Sequence, residues 1–151
     1  RVGYSIAAEP ILSKMIIGKQ SCDLHVSIFS QMVIAEYLRR GLMPDHLKQI
    51  NMEYARKRDL MLKTLEETMP EGVVWTHPEG GLFLWLELPM HMSTNDLFMK
   101  ALEKKVAYVA GDSFYATGEP HNAMRINFSN ATEENIVKGV NALAEVIKEN
   151  M

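Results

Sequence analysis

Pro78-Glu79-Gly80-Gly81-Leu82-Phe83-Leu84-Trp85-Leu86-Glu87-Leu88-Pro89 is the stretch on which the fold turns. Adjacent glycines permit turn conformations that a Cβ would forbid, and they let another group come close. Leu82 to Leu88 has strand length and is bounded by breakers at both ends. It is apolar on nearly both faces, which predicts a strand covered on both sides. Alone, the stretch reads as a turn feeding a core strand. The alternative is a glycine platform beside a ligand, and that needs support from elsewhere in the chain.

The second informative stretch is Asn122-Ala123-Met124-Arg125-Ile126-Asn127-Phe128-Ser129. Met124, Ile126 and Phe128 alternate with Arg125, Asn127 and Ser129, so a strand here has one core face and one polar face. That polar face presents a guanidinium flanked by two short polar groups. Arginine suits a carboxylate or phosphate gripped through two parallel hydrogen bonds. A solvated strand face is the plainer interpretation of the same pattern.

Working outward, Arg1 to Ala8 reads as a short strand. Glu9-Pro10 opens a helix with proline near its first turn, and Gly18 ends or loosens it. Leu24 to Arg40 has helical periodicity, and Arg39, Arg40 and Gly41 make its stop. The longest helix is predicted from Pro44 to about Met69, roughly 35–40 Å at the helical rise. Its charges read as a solvated face. Val73 to Thr76 is a short strand. Ser93 to Lys105 is a helix capped by Ser93, with Asp96 three residues later. Val106 to Ala110 reads as a buried strand and Asp112 to His121 as a loop. Thr132 caps a last helix, whose core stripe is Ile136, Val140, Leu143, Ala144 and Ile147. This order predicts an α+β fold: a small, mostly antiparallel sheet with helices packed on one side.

Composition narrows the function classes. The chain has 151 residues, 47% hydrophobic and 23% charged, enough for a real core in one domain of ordinary size. A net charge of -3 gives no electrostatic footprint for nucleic acid through this segment. The single cysteine, Cys22, excludes an internal disulfide. Five histidines are scattered without ligand spacing, so no metal site is expected. The phosphate-loop, dinucleotide-fingerprint and zinc-helix motifs are absent. No apolar run approaches membrane-span length, and no signal peptide is visible. Arg1-Val2-Gly3-Tyr4 lacks an initiator methionine, so the expectation is a trimmed chain or a piece of something longer.

Six segments in order carry a resemblance: R-V-G-Y from Arg1, Q-M-V-I-A-E-Y-L from Gln31, Y-A-R-K-R-D from Tyr54, the Pro78–Pro89 stretch, V-A-Y-V-A-G-D-S-F-Y from Val106, and M-R-I-N-F-S from Met124. Together they resemble the C-terminal part of fold-type I aminotransferases that use pyridoxal 5'-phosphate. The nearest group is the 2-aminoadipate or kynurenine aminotransferase-like enzymes, whose module also occurs in MocR-type regulators of the GntR family. The resemblance implies a segment, residues 1–40, continuing from a large domain, followed by a C-terminal small domain, residues 41–151. It implies that Arg1 holds the cofactor phosphate and Arg125 grips the substrate α-carboxylate. Gly81 and Phe83 would line the substrate pocket, and Tyr4 would help form it near a dimer interface. The Schiff-base lysine is expected upstream of Arg1, as are the aspartate that pairs with the pyridine nitrogen and the aromatic residue that stacks on the ring. No catalytic residue is therefore assigned within this chain. Ala110 stands where the family often has proline. By the same resemblance the intact parent acts on an amino acid and a 2-oxo acid and is a homodimer; the single cysteine fits a reducing compartment, and a cytoplasmic location is expected. In a MocR-type parent, the same residues would sense a ligand.

Overall fold

The computed structural model describes residues 1–117 and 120–151. Contacts divide the chain into two compact units, Arg1–Lys48 and Gln49–Met151.

The first unit holds α1 (Glu9–Cys22), α2 (Ile28–Arg39) and the start of α3 (Met43–Thr68). Residues 1–8 do not form the predicted strand. Their alternation is real, with Val2, Tyr4 and Ile6 in register, but all three are exposed. Among the described residues no strand pairs with this segment, and a strand exists only through its ladder. Helix α1 runs through Gly18 to Cys22 instead of ending there. Helix α2 starts at Ile28, not at Leu24, for two reasons. Leu24 sits in the left-handed region at φ 63°, which a helix cannot pass through. Ser27 then caps the new start, its hydroxyl accepting from the Ser30 amide.

The end of α2 follows the predicted stop. Gly41 has φ 69°. Its amide donates to the Leu38 carbonyl, and the Leu42 amide donates to the Tyr37 carbonyl. These two bonds form the paired closure that favours glycine at a helix C-terminus. Arg39 and Arg40 both pair with Glu36, at 2.7 and 2.8 Å. The Arg39 and then the Arg40 hydrogen bonds hold the Glu36 carboxyl below its ordinary range. Neither α1 nor α2 buries a residue.

The second unit contains the rest of α3, then β1 (Val74–Trp75), β2 (Phe83–Glu87), α4 (Thr94–Glu103), β3 (Val109–Ala110), β4 (Ala123–Asn127) and α5 (Glu133–Lys148). The sheet order is β1-β2-β4-β3, and every pair is antiparallel. Leu84, Leu86, Met124 and Ile126 share one face and are buried against side chains from α3, α4 and α5. The predicted α+β fold is thus present. The predicted stripe of α5 is the observed one, since Ile136, Val140, Leu143, Ala144 and Ile147 are all buried. Each of the Ile, Val and Leu side chains in that stripe contributes about 1.5–3 kcal/mol when removed from water.

Two strands differ from expectation. β2 is covered on one face only: Leu84 and Leu86 are fully buried, whereas Phe83 is 40% exposed and Glu87 is exposed. The helices lie on one side, and the aromatic residues of β2 face the other. The strand predicted from Val106 to Ala110 shrinks to Val109–Ala110. The start of that segment closes α4 instead: the Lys105 amide just before it donates to the Leu102 carbonyl and the Val106 amide to the Ala101 carbonyl, with Lys105 at φ 63°. The N-terminal caps of α4 and α5 are the predicted ones. Ser93 accepts from the Asp96 amide at the start of α4, and Thr132 from the Asn135 amide at the start of α5.

A buried polar seam joins α4 to the sheet. The Thr94 hydroxyl reaches the Ala123 carbonyl at 2.8 Å, and the Tyr108 hydroxyl donates to the Thr94 carbonyl at 2.5 Å. Gly111 lies hard against the same strand, where a Cβ would stand 2.7 Å from the Ala123 carbonyl oxygen.

Candidate functional site

The open face of the sheet is built by register. Trp85 on β2 and Val109 on β3 both stand opposite Arg125 on β4, and Phe83 stands opposite Asn127. Cross-strand partners share a face, so Arg125 is flanked by an aromatic ring on one side and an aliphatic group on the other. After β3 the chain makes one 3-10 turn, Gly111–Phe114. That turn carries Phe114 onto the same face.

The guanidinium carbon of Arg125 lies 4.1 Å from the Phe83 ring centroid and 4.8 Å from that of Phe114. Trp85 meets Phe114 edge-on at 5.5 Å and Tyr115 at 6.0 Å. Rings against a guanidinium are worth about 0.5–2 kcal/mol each and fix its plane. Arg125 is half-buried, and its Nε is buried with no hydrogen-bond partner among the described residues. A buried donor left unpaired costs about 1–3 kcal/mol. With two rings beside it, the guanidinium keeps N–H donors for a planar, bidentate anion, and a carboxylate is such an anion.

The other two polar residues of this face have a different task. Asn127 and Ser129 bond each other, and the Asn127 side-chain oxygen also accepts from the Asn130 amide at 3.0 Å. They shape the exit turn of β4, leaving Arg125 as the charged donor.

Of the predicted site residues, Phe83 and Arg125 are in direct contact. Gly81 precedes them in the turn into β2 with φ 84°. Nothing lies within 4 Å of where its Cβ would be, so backbone conformation, not crowding, requires glycine there. Arg1 and Tyr4 belong to the first unit, where both are exposed, Tyr4 at 90%. Phe114 and Trp85 were not anticipated. Their signals were present in the Gly-Asp-Ser-Phe run after a strand and in an aromatic residue whose register meets the arginine.

A cavity of about 520 Å³ opens elsewhere in the second unit, between Lys104, Val106, Ile126, Ile136, Gly139 and Leu143. It includes none of Gly81, Phe83 and Arg125. Among the described residues no group of three His, Cys, Asp or Glu side chains could hold a metal ion, and no helix is long and apolar enough to cross a membrane.

The profile of the family described as aminotransferase class I and II matches residues 1–143. The chain belongs to that family. This aminotransferase-family chain is 47% identical to aromatic-amino-acid aminotransferase 1 of Thermococcus litoralis, over all of its own length and 36% of that protein's. The crystal structure of the kynurenine aminotransferase of Pyrococcus horikoshii, in complex with PMP, superposes with a TM-score of 0.85 at 44% identity, covering 95% of this chain and 35% of that one. A regulator of Bacillus subtilis described as HTH-type and transcriptional, YdfD, is 32% identical over 99% of this chain and 30% of its own length. The chain therefore spans about a third of the length of these relatives.

Proposed function

We propose that this chain is the C-terminal portion of a pyridoxal-phosphate-dependent aminotransferase, and that it supplies recognition of the substrate carboxylate. In this reading residues 1–40 continue from a large domain, and residues 41–151 form the small domain. The parent transfers an amino group between an amino acid and a 2-oxo acid. The observation that carries the reading is the Arg125 guanidinium, oriented by Phe83 and Phe114 with its buried Nε unpaired.

Both substrate classes share a carboxylate next to the reacting carbon. One arginine can therefore hold either, and its bidentate geometry sets how the rest of the substrate is presented. Gly81 and Phe83 line the pocket in this assignment. Arg1 offers a permanently charged fork of N–H donors, which suits the cofactor's phosphate. When bound, the cofactor supplies the electron sink for the chemistry. The catalytic lysine belongs to the sequence upstream of Arg1. The parent is read as a cytoplasmic homodimer.

Arg125→Ala in the intact parent is expected to weaken amino-acid and 2-oxo-acid binding far more than cofactor binding. Steady-state KM and a cofactor titration measure the two separately. Equal loss of both would overturn the assignment. A second reading, a MocR-type regulator sensing an amino acid, draws on the similarity to the Bacillus subtilis regulator. DNA binding by the intact parent that responds to an amino acid, with no turnover, would favour it.

A further inference from the structure

Two consecutive cations on α3 grip the sheet from outside it. The Arg58 Nη1 donates to the Glu79 carbonyl at 2.8 Å and to the Pro78 carbonyl at 3.3 Å. Its Nε and Nη2 meet the Asp59 carboxylate at 2.8 and 2.7 Å. Lys57 donates to the Ser129 carbonyl at 3.0 Å. Both side chains are largely covered, at 20% exposure for Arg58 and 13% for Lys57.

The acceptors are what give these contacts meaning. Pro78 and Glu79 lead into the Gly80-Gly81 turn, which delivers Phe83. Ser129 follows β4, which carries Arg125. Phe83 pairs with Asn127, and the Phe128 amide donates to the Leu82 carbonyl, so both acceptors lie at the same end of the β2–β4 ladder. That is the end where Phe83 meets the Arg125 guanidinium. A guanidinium has fixed donor directions, so bonding two successive carbonyls sets the peptide orientation just ahead of Gly81, whose φ is 84°.

We infer that Arg58 is a positioning residue of the carboxylate site, with Lys57 as a second fastening. Arg58 fixes the turn that holds the Phe83 ring against Arg125, and it touches no substrate itself. This rests on the reading of Arg125 as the carboxylate-binding residue.

The test uses the intact, cofactor-loaded parent with the variants Arg58→Met, Arg58→Lys, Lys57→Met and Arg125→Ala. Readouts are kcat, KM for both substrates, cofactor affinity and Tm. Arg58→Met is expected to raise KM for amino acid and 2-oxo acid by about tenfold, leaving kcat and cofactor affinity within about twofold. Arg58→Lys keeps one donor and is expected to fall between, at about threefold, and Lys57→Met at about twofold to threefold. Wild-type KM in Arg58→Met, or KM, cofactor affinity and Tm failing together, would overturn the role. If Arg58→Met does not fold, Arg58→Lys decides: raised KM with wild-type Tm supports the role, and wild-type KM sinks it. Unchanged KM in Arg125→Ala would instead refute the carboxylate reading beneath it. Raised KM in Arg125→Ala with wild-type KM in folded Arg58→Met would remove only the fastening.

Discussion

The two faces of the β2–β4 ladder are one residue apart in sequence and opposite in character. On one face Leu84, Leu86, Met124 and Ile126 are closed under three helices. On the other, Phe83, Trp85, Arg125 and Asn127 remain open to varying degrees. The first face holds the unit together, and the second holds a charge in a fixed direction. A strand lets both tasks share five residues because its side-chain period is two. The two tasks are expected to separate under mutation.

Leu86→Ala strikes the closed face. It is expected to cost about 2–5 kcal/mol of stability, the usual range for a fully buried leucine. Denaturant unfolding of the intact parent measures it, and a loss below about 1 kcal/mol would show that the site collapses without a cavity. The KM of the surviving folded protein is expected to stay near wild type. Phe114→Leu strikes the open face. Losing one ring from the guanidinium is expected to cost about 0.5–2 kcal/mol of substrate binding, read as KM, with little change in Tm. A Tm drop without a KM change would reverse the division proposed here. Lys105→Gly touches neither face. The lysine stands at φ 63° where α2 uses Gly41, so glycine there is expected to raise stability by about 0.5–1 kcal/mol and leave both KM values unaltered.

Much of the closed face was legible in the sequence. The alternation of Met124, Ile126 and Phe128 and the stripe on α5 depend only on local periodicity, and all of those residues are buried. Ser93 and Thr132 were legible because capping acts within one turn. What misled was the part that depends on partners. Val2 to Ala8 has strand character but no neighbour to pair with among the described residues. Leu82 to Leu88 looked covered on both sides because its apolar content says nothing of which face the helices take. The candidate site was half legible. Arg125 stood out on its polar face, whereas Phe114 reaches it only through the pairing of β3 with β4 and the turn at Gly111. Tyr4 and Arg1 owe their assignment to the resemblance.

Tyr108 gives the core an optical signature. Its hydroxyl is buried against the Thr94 carbonyl, and burial pushes its pKa well above the ordinary tyrosine value of 10.0. In the unfolded chain that hydroxyl ionises near the ordinary value, so the folded state holds a proton that the unfolded state releases. Its contribution to stability is fully present below about pH 10 and is lost as pH climbs toward the raised value. In an alkaline ultraviolet titration, the tyrosinate band of Tyr108 is expected to appear late, together with unfolding. Tyr108→Phe would delete that late step.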